Sequence, residues 1–221
     1  MSKENFLTST IGKKVVMSLT GLFLISFLVV HVTLNSMIFL NDGGVVFNKG
    51  AHFMSHNIVV RILEIGLFVG LLLHIIQAYA VTAKNQKARP VGYQVTNGAA
   101  NSKWYSRSMA ILGTLILLFL VVHLGNFWVP TKKALFAHEE HDTFAGLRNV
   151  FSQWYFVVIY LAGVISLCYH LLHGFSAAFQ SLGLNHRKYT PVIKFIGAAF
   201  SIVVCLLFAL MPISVFLGWI K

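Results

Sequence analysis

Three observations predict an all-α integral membrane fold, a bundle of five transmembrane helices. Hydrophobic residues fill 57% of the 221 positions and charged residues only 10%, and the mean hydropathy of +0.76 is far above that of soluble domains. Five apolar runs reach the roughly 20 residues that cross about 30 Å of hydrocarbon. The basic residues, which set a net charge of +11, sit between those runs rather than on one soluble face. That placement reads as topology and argues against a nucleic-acid partner.

The spans are expected at 14–40, 57–83, 104–129, 151–180 and 191–219, as one membrane domain over residues 1–221. Span I follows a polar and then basic lead, Thr8-Ser9-Thr10-Ile11-Gly12-Lys13-Lys14. It is too long for a signal-peptide core and lacks a small-residue cleavage site, so it is expected to be retained. Asn41-Asp42-Gly43-Gly44 signals a turn into an outer loop holding His52 and His56. Span II leads to a basic inner loop, 84–103, with Pro90, Gly92 and Gly98.

Span III is followed by an outer loop, 130–150, with Pro130 and the cluster His138, Glu139, Glu140, His141 and Asp142. A short basic loop near 181–189 separates spans IV and V. Thr190-Pro191 reads as an N-cap with proline at the first helical position, and Pro212 is expected to kink span V. Trp104, Trp128, Trp154 and Trp219 fall near span ends, as interfacial aromatics do.

With the N-terminus inside, Lys3, Lys13, Lys14, Lys84, Lys87, Arg89, Lys103, Arg107, Arg187, Lys188 and Lys194 gather on one side. Lys49, Arg61, Lys132, Lys133, Arg148 and Lys221 gather on the other. Eleven against six predicts a cytoplasmic N-terminus. The two cysteines, Cys168 and Cys205, each lie within a span and in no Cys-x-x-Cys-His pattern, which argues against covalent c-type haem and a disulfide framework.

His31, His74, His123 and His170 stand one apiece in spans I to IV. An imidazole in hydrocarbon is costly unless it has a partner or a task. Counted from the inner end of each span, His31 and His123 lie 17 and 19 residues up, whereas His74 and His170 lie 9 and 10 up. These counts become heights of roughly 26 and 28 Å for one pair and roughly 14 and 15 Å for the other.

Each of two levels thus offers one histidine from each of two helices, which is what a six-coordinate haem needs on opposite sides of its macrocycle. The bundle is therefore expected to enclose two haems held by coordination alone. Gly66 and Gly70 share a helix face with His74 and are candidates for the close approach of a macrocycle; helix packing is the alternative. Gly163 and Gly174 flank His170 in the same way. His173, three residues beyond His170, is an alternative ligand, or else it bonds a propionate or lines a quinone pocket. The loop histidines His52, His56, His138, His141 and His186 read as solvated. Zinc or copper is disfavoured because no carboxylate or thiol completes a ligand set with the four.

The chain resembles the di-haem cytochrome b membrane anchor, of cytochrome b558 type, of succinate:quinone oxidoreductases and fumarate reductases. The resemblance covers nearly the whole chain. It is carried by Gly12-Lys13-Lys14, by Ser18-Leu19-Thr20-Gly21 leading to His31 and Asn35, by His74 and His123, and by His170-Leu171-Leu172-His173-Gly174. It implies two b-type haems ligated by one histidine from each of helices I to IV, paired I with III and II with IV, which makes His31, His74, His123 and His170 the metal ligands. It implies menaquinone as substrate in the bacterial cytoplasmic membrane. It also implies a flavoprotein subunit and an iron-sulfur subunit on the cytoplasmic face. Such an assembly is succinate dehydrogenase of the tricarboxylic acid cycle, or in reverse a fumarate reductase. Some fumarate reductases of this type carry a glutamate two residues before the helix IV ligand; Cys168 stands there instead.

Quinone reduction also consumes protons. Glu64 is the only acid inside an expected span, level with the outer histidines, and is the candidate for a quinone or proton role; Arg61, one turn earlier, is its alternative, purely local partner. Two other classes are distinguishable. A proton-coupled transporter using these histidines predicts no visible chromophore. A quinol-oxidising bc-type cytochrome places two well-separated ligands on each of two helices, a pattern absent from this sequence.

Overall fold

The computed structural model describes residues 9–88 and 102–221. Lys3, Thr8, Arg89, Pro90, Gly92 and Gly98 lie outside them. Within them the chain is all-helical, and five helices are long and apolar enough to cross a membrane: Ile11–Leu40, Ile58–Lys87, Met109–Ala137, Trp154–Ser181 and Thr190–Phe216. These are spans I to V. The face at which span I begins is termed the near face, and the opposite one the far face.

Span I is helix α1, Thr10–Ser36, finished by a 3-10 turn at Met37–Leu40. The Ser9 side chain caps it by accepting the Gly12 N–H at 3.0 Å. Its hydroxyls return their protons to the helix: Ser18 donates to the Lys14 carbonyl, Thr33 to Val29 and Ser36 to Val32. Polar side chains are thus satisfied without water, which hydrocarbon requires. Ile65, Leu72, Ile111, Val121, Ile165 and Leu206 stay exposed along the spans, as a lipid-facing surface does.

Two stretches expected as loops are helices. Helix α2, Val45–His56, contains His52 and His56, and precedes α3, Ile58–Lys87, which is span II. Asn57 caps α3 by accepting the N–H groups of Val59 and Val60. A one-turn helix α4, Trp104–Arg107, precedes span III, which runs as α5, Met109–His123, through a π-helical turn at Leu124–Trp128 into α6, Val129–Ala137. Span III therefore ends eight residues beyond the expected 129, with Pro130 inside it. Helix α7, Thr143–Phe151, occupies the rest of the expected outer loop.

Span IV is α8, Trp154–Ser181, and span V is α9, Thr190–Phe216. The residue flanking α9 is Tyr189, so Thr190 is its first residue rather than its N-cap. Its hydroxyl instead accepts the His186 N–H and donates to Asn185, tying down the preceding loop. The helix continues through Pro212.

Helices α2 and α7 close the far face. Phe144, Leu147 and Phe151 share one stripe of α7 and pack with Phe47 of α2, Ile38, Met211 and Val215 into the main buried cluster. Asp142 caps α7 by accepting from Ala145, and also accepts from Asn48 of α2 at 2.8 Å; Asn48 in turn accepts the Phe144 N–H. Gly44 permits this closure in two ways. Its φ is +80°, and a Cβ there would lie 2.2 Å from the Phe144 ring.

Candidate functional site: two facing histidine pairs

The bundle brings the four span histidines together in two pairs. His31 of span I faces His123 of span III with ring centroids 5.7 Å apart, and His74 of span II faces His170 of span IV at 6.3 Å. The rings are nearly perpendicular, at 82° and 69°. Two imidazoles ligating one metal from opposite sides, with bonds of about 2 Å and ring radii of about 1.1 Å, hold their centroids about 6 Å apart.

Three spans give the separation of the two levels. His74 lies against Met17, Thr20 and Gly21, and His31 is 10 to 14 residues further along span I. Gly113 faces His170 and His123 is ten residues further on, while Tyr160 packs on His123 ten residues before His170. Ten to fourteen residues rise roughly 15 to 21 Å, more than the sequence heights of about 12 Å implied.

The near pair is prepared chemically. Nδ1 of His74 lies 3.2 Å from the Met17 carbonyl and 3.2 Å from Thr20 Oγ1. A carbonyl only accepts, so that contact puts the proton on Nδ1 and leaves the Nε2 lone pair free for a Lewis acid. Gly21 and Gly113 keep backbone beside the rings: a Cβ would stand 3.4 Å from His74 Cε1 at the first and 3.9 Å from His170 Cε1 at the second.

His173 does not join this pair. Its Nδ1 lies 2.9 Å from Ser106 Oγ, beside a ring cluster of Trp104, Tyr105 and Tyr169. Of the glycines expected at the macrocycle, Gly70 is covered by the Phe23 ring and Gly66 has nothing within 4 Å. A Cβ at neither position would approach a histidine, whereas one at Gly21 or Gly113 would, and periodicity on span II had no means of finding them.

The far pair is enclosed by aromatic rings. Phe27 stacks on His31 at 5.2 Å, Phe119 and Phe127 flank His123, and Tyr160, 5% exposed, closes the group while its hydroxyl accepts from Asn126.

Among the described residues, three buried side-chain polar atoms have no hydrogen-bond partner: His123 Nδ1, His170 Nδ1 and Gln77 Oε1. Two belong to the pairs themselves and the third lies one turn after His74. Buried polar groups are nearly always satisfied, so the unmet hydrogen-bonding demand of the bundle gathers at the histidine pairs, on the ring nitrogens that a metal at Nε2 would not use. No three His, Cys, Asp or Glu side chains among the described residues cluster to hold an ion alone. Two imidazoles per level suit a metal whose other four bonds come from a macrocycle, and both pairs fit haem on that ground.

Glu64 is held by partners other than Arg61, its alternative local partner. Its Oε2 accepts from Lys132 Nζ at 2.6 Å and its Oε1 from Trp128 Nε1 at 2.5 Å, both on span III. The π-helical turn makes this possible, because one extra residue per turn rotates the downstream helix by about 100°. His123 faces His31 of span I, while Trp128 and Lys132 face Glu64 of span II. Phe68, one turn from Glu64, packs edge-on against Trp128 at 5.2 Å, and Trp128 is 39% exposed. The cluster is thus ionisable, aromatic and open to the surroundings.

A cleft of about 590 Å³ lies apart from both pairs, between α7 and the end of span V, lined by Arg148, Asn149, Ser152 and Lys221 among others. His138, His141 and His186 are exposed, as expected. No known protein family, curated protein or solved structure matches the chain.

Proposed function

We propose that the chain is the membrane cytochrome b of a succinate:quinone oxidoreductase, with a flavoprotein and an iron-sulfur subunit as partners at the near, cytoplasmic face of a bacterial membrane. The observation that carries this reading is the pairing of four intramembrane histidines, I with III and II with IV, at two levels. The Met17 carbonyl, which leaves Nε2 of His74 free for a metal, supports it.

His74 and His170 would hold the near b haem, and His31 and His123 the far one. Bound there, the two haems supply one-electron carriage between the faces of the membrane. The chain does the rest. The Met17 carbonyl fixes the His74 tautomer, Gly21 and Gly113 keep the near rings accessible, and the Phe27, Phe119, Phe127 and Tyr160 rings exclude water from the far pair.

Glu64 takes the quinone-side proton role. It lies ten residues from His74 toward the far face, a rise of about 15 Å that sets it near the level of the far pair. Menaquinone reaching the exposed Trp128 edge would meet a carboxylate held by Lys132, the acid-base partner that two-proton quinone chemistry requires. Succinate oxidation and fumarate reduction place the same demands on these residues.

The test is a reduced-minus-oxidised spectrum of the purified chain with haem quantification. Two b haems per chain are expected. A protein expressed with ample haem that carries none would overturn the reading.

A further inference from the structure

The exposed face of α2 holds a pair of histidines that the electron path does not use. His52 and His56 are four residues apart on one helix, so they occupy the same face one turn apart. Their rings stack with centroids 3.9 Å apart and planes within 15°. Both side chains are open to solvent.

The proton on His56 is already placed. Its Nδ1 lies 3.0 Å from the His52 carbonyl, which can only accept, so Nδ1 carries the hydrogen and Nε2 is left with its lone pair. Ser55 Oγ, 3.0 Å from the same Nδ1, reinforces this arrangement. Side chains four residues apart on a helix have Cβ atoms about 5–6 Å apart, so turning the two rings out of their stack brings one nitrogen from each to a single ion with bonds of about 2 Å.

We infer that His52 and His56 form a surface site for a borderline divalent transition metal of the Zn²⁺, Cu²⁺ or Ni²⁺ class. Imidazole nitrogen suits these ions, and hard oxygen-seeking cations such as Mg²⁺ and Ca²⁺ are disfavoured. No third His, Cys, Asp or Glu joins the pair among the described residues, so water completes the coordination sphere. Two ligands on one rigid helical turn act as a chelate: once one nitrogen binds, the second is presented at high effective concentration. The site exists only while α2 is helical, so the bound ion also stabilises that helix. It uses neither of the span histidine pairs and does not depend on the proposed function.

The experiment titrates the purified full-length chain in detergent with Zn²⁺ by calorimetry and with Cu²⁺ by electron paramagnetic resonance. One saturable equivalent is expected, with two nitrogen donors in the Cu²⁺ spectrum. His52→Gln or His56→Gln, each keeping a good helix former, should weaken it about tenfold or more, whereas the double variant His138→Gln/His141→Gln should leave it intact. Zn²⁺ should also slow amide exchange over residues 50–56 in the parent and not in His52→Gln. Unchanged affinity in both single variants, loss only in the His138/His141 variant, or no saturable equivalent in the parent would each overturn the inference.

Discussion

Removing Lys132 isolates the energetics of the intramembrane ion pair. Its Nζ lies 2.6 Å from Glu64 Oε2, with side-chain exposures of 15% and 24%. Breaking a fully buried pair costs roughly 3 to 5 kcal/mol, because the remaining charge is stranded, while exposed pairs contribute about 1 kcal/mol or less. Intermediate exposure puts Lys132→Met at about 2 kcal/mol of destabilisation. Glu64→Gln keeps an oxygen for the Trp128 N–H and strands Lys132 instead, whose long stem reaches the far interface, so about 1 kcal/mol is expected. The double variant strands no charge and should cost about 1 kcal/mol, well below the sum of the single effects. The assay is a double-mutant cycle measured by unfolding in mixed micelles of rising denaturing-detergent content. Additivity within about 0.5 kcal/mol would refute the coupling.

Other outcomes rest on the same geometry. On the di-haem reading proposed above, His170→Ala should lower haem content from two to one per chain while His173→Ala retains both, and pigment analysis showing the reverse would exchange their roles. Gly21→Val should displace the His74 ring, since even its Cβ stands 3.4 Å from Cε1, and remove the near haem while the far one stays. Hydrogen bonds from Ala145 and then Asn48 hold the Asp142 carboxyl below its usual pKa. Its unfolded-state value is near 3.9, so the capping contribution is complete above that pH and is lost as pH falls through the lower, folded value. Amide exchange over residues 143–151 should therefore rise under acid, and Asp142→Ala, costing about 1 kcal/mol of cap, should abolish the pH dependence.

The spans and the pairing of histidines were legible because hydropathy and alternating chain direction are properties of the sequence itself. Direction alone sorts His31 with His123 and His74 with His170, and the packed helices place them so. The Lys132–Glu64 pair was not legible, because it depends on a π-helical turn with no signature in Leu124–Trp128. A regular helix would aim Trp128 elsewhere, which left Arg61 as the visible partner. Helices α2 and α7 lay within reach: Phe144, Leu147 and Phe151 repeat at helical spacing, but nine to twelve residues between long apolar runs read easily as loop. Gly21 and Gly113 needed the opposite helix to be known, since a glycine's role at a ring is set by what faces it.

The contact between His74 and the Met17 carbonyl bears on how this chain can change over time. Side chains that orient a histidine can be lost to one nucleotide substitution. A main-chain oxygen is present whatever residue stands at position 17, so the tautomer survives exchange of that side chain. The vulnerability moves to the path of the backbone: proline at Gly21 would remove the N–H that helix geometry pairs with this same oxygen and bend the chain at that turn. The tautomer thus tolerates a change of side chain at Met17 and is sensitive to whatever bends span I around it.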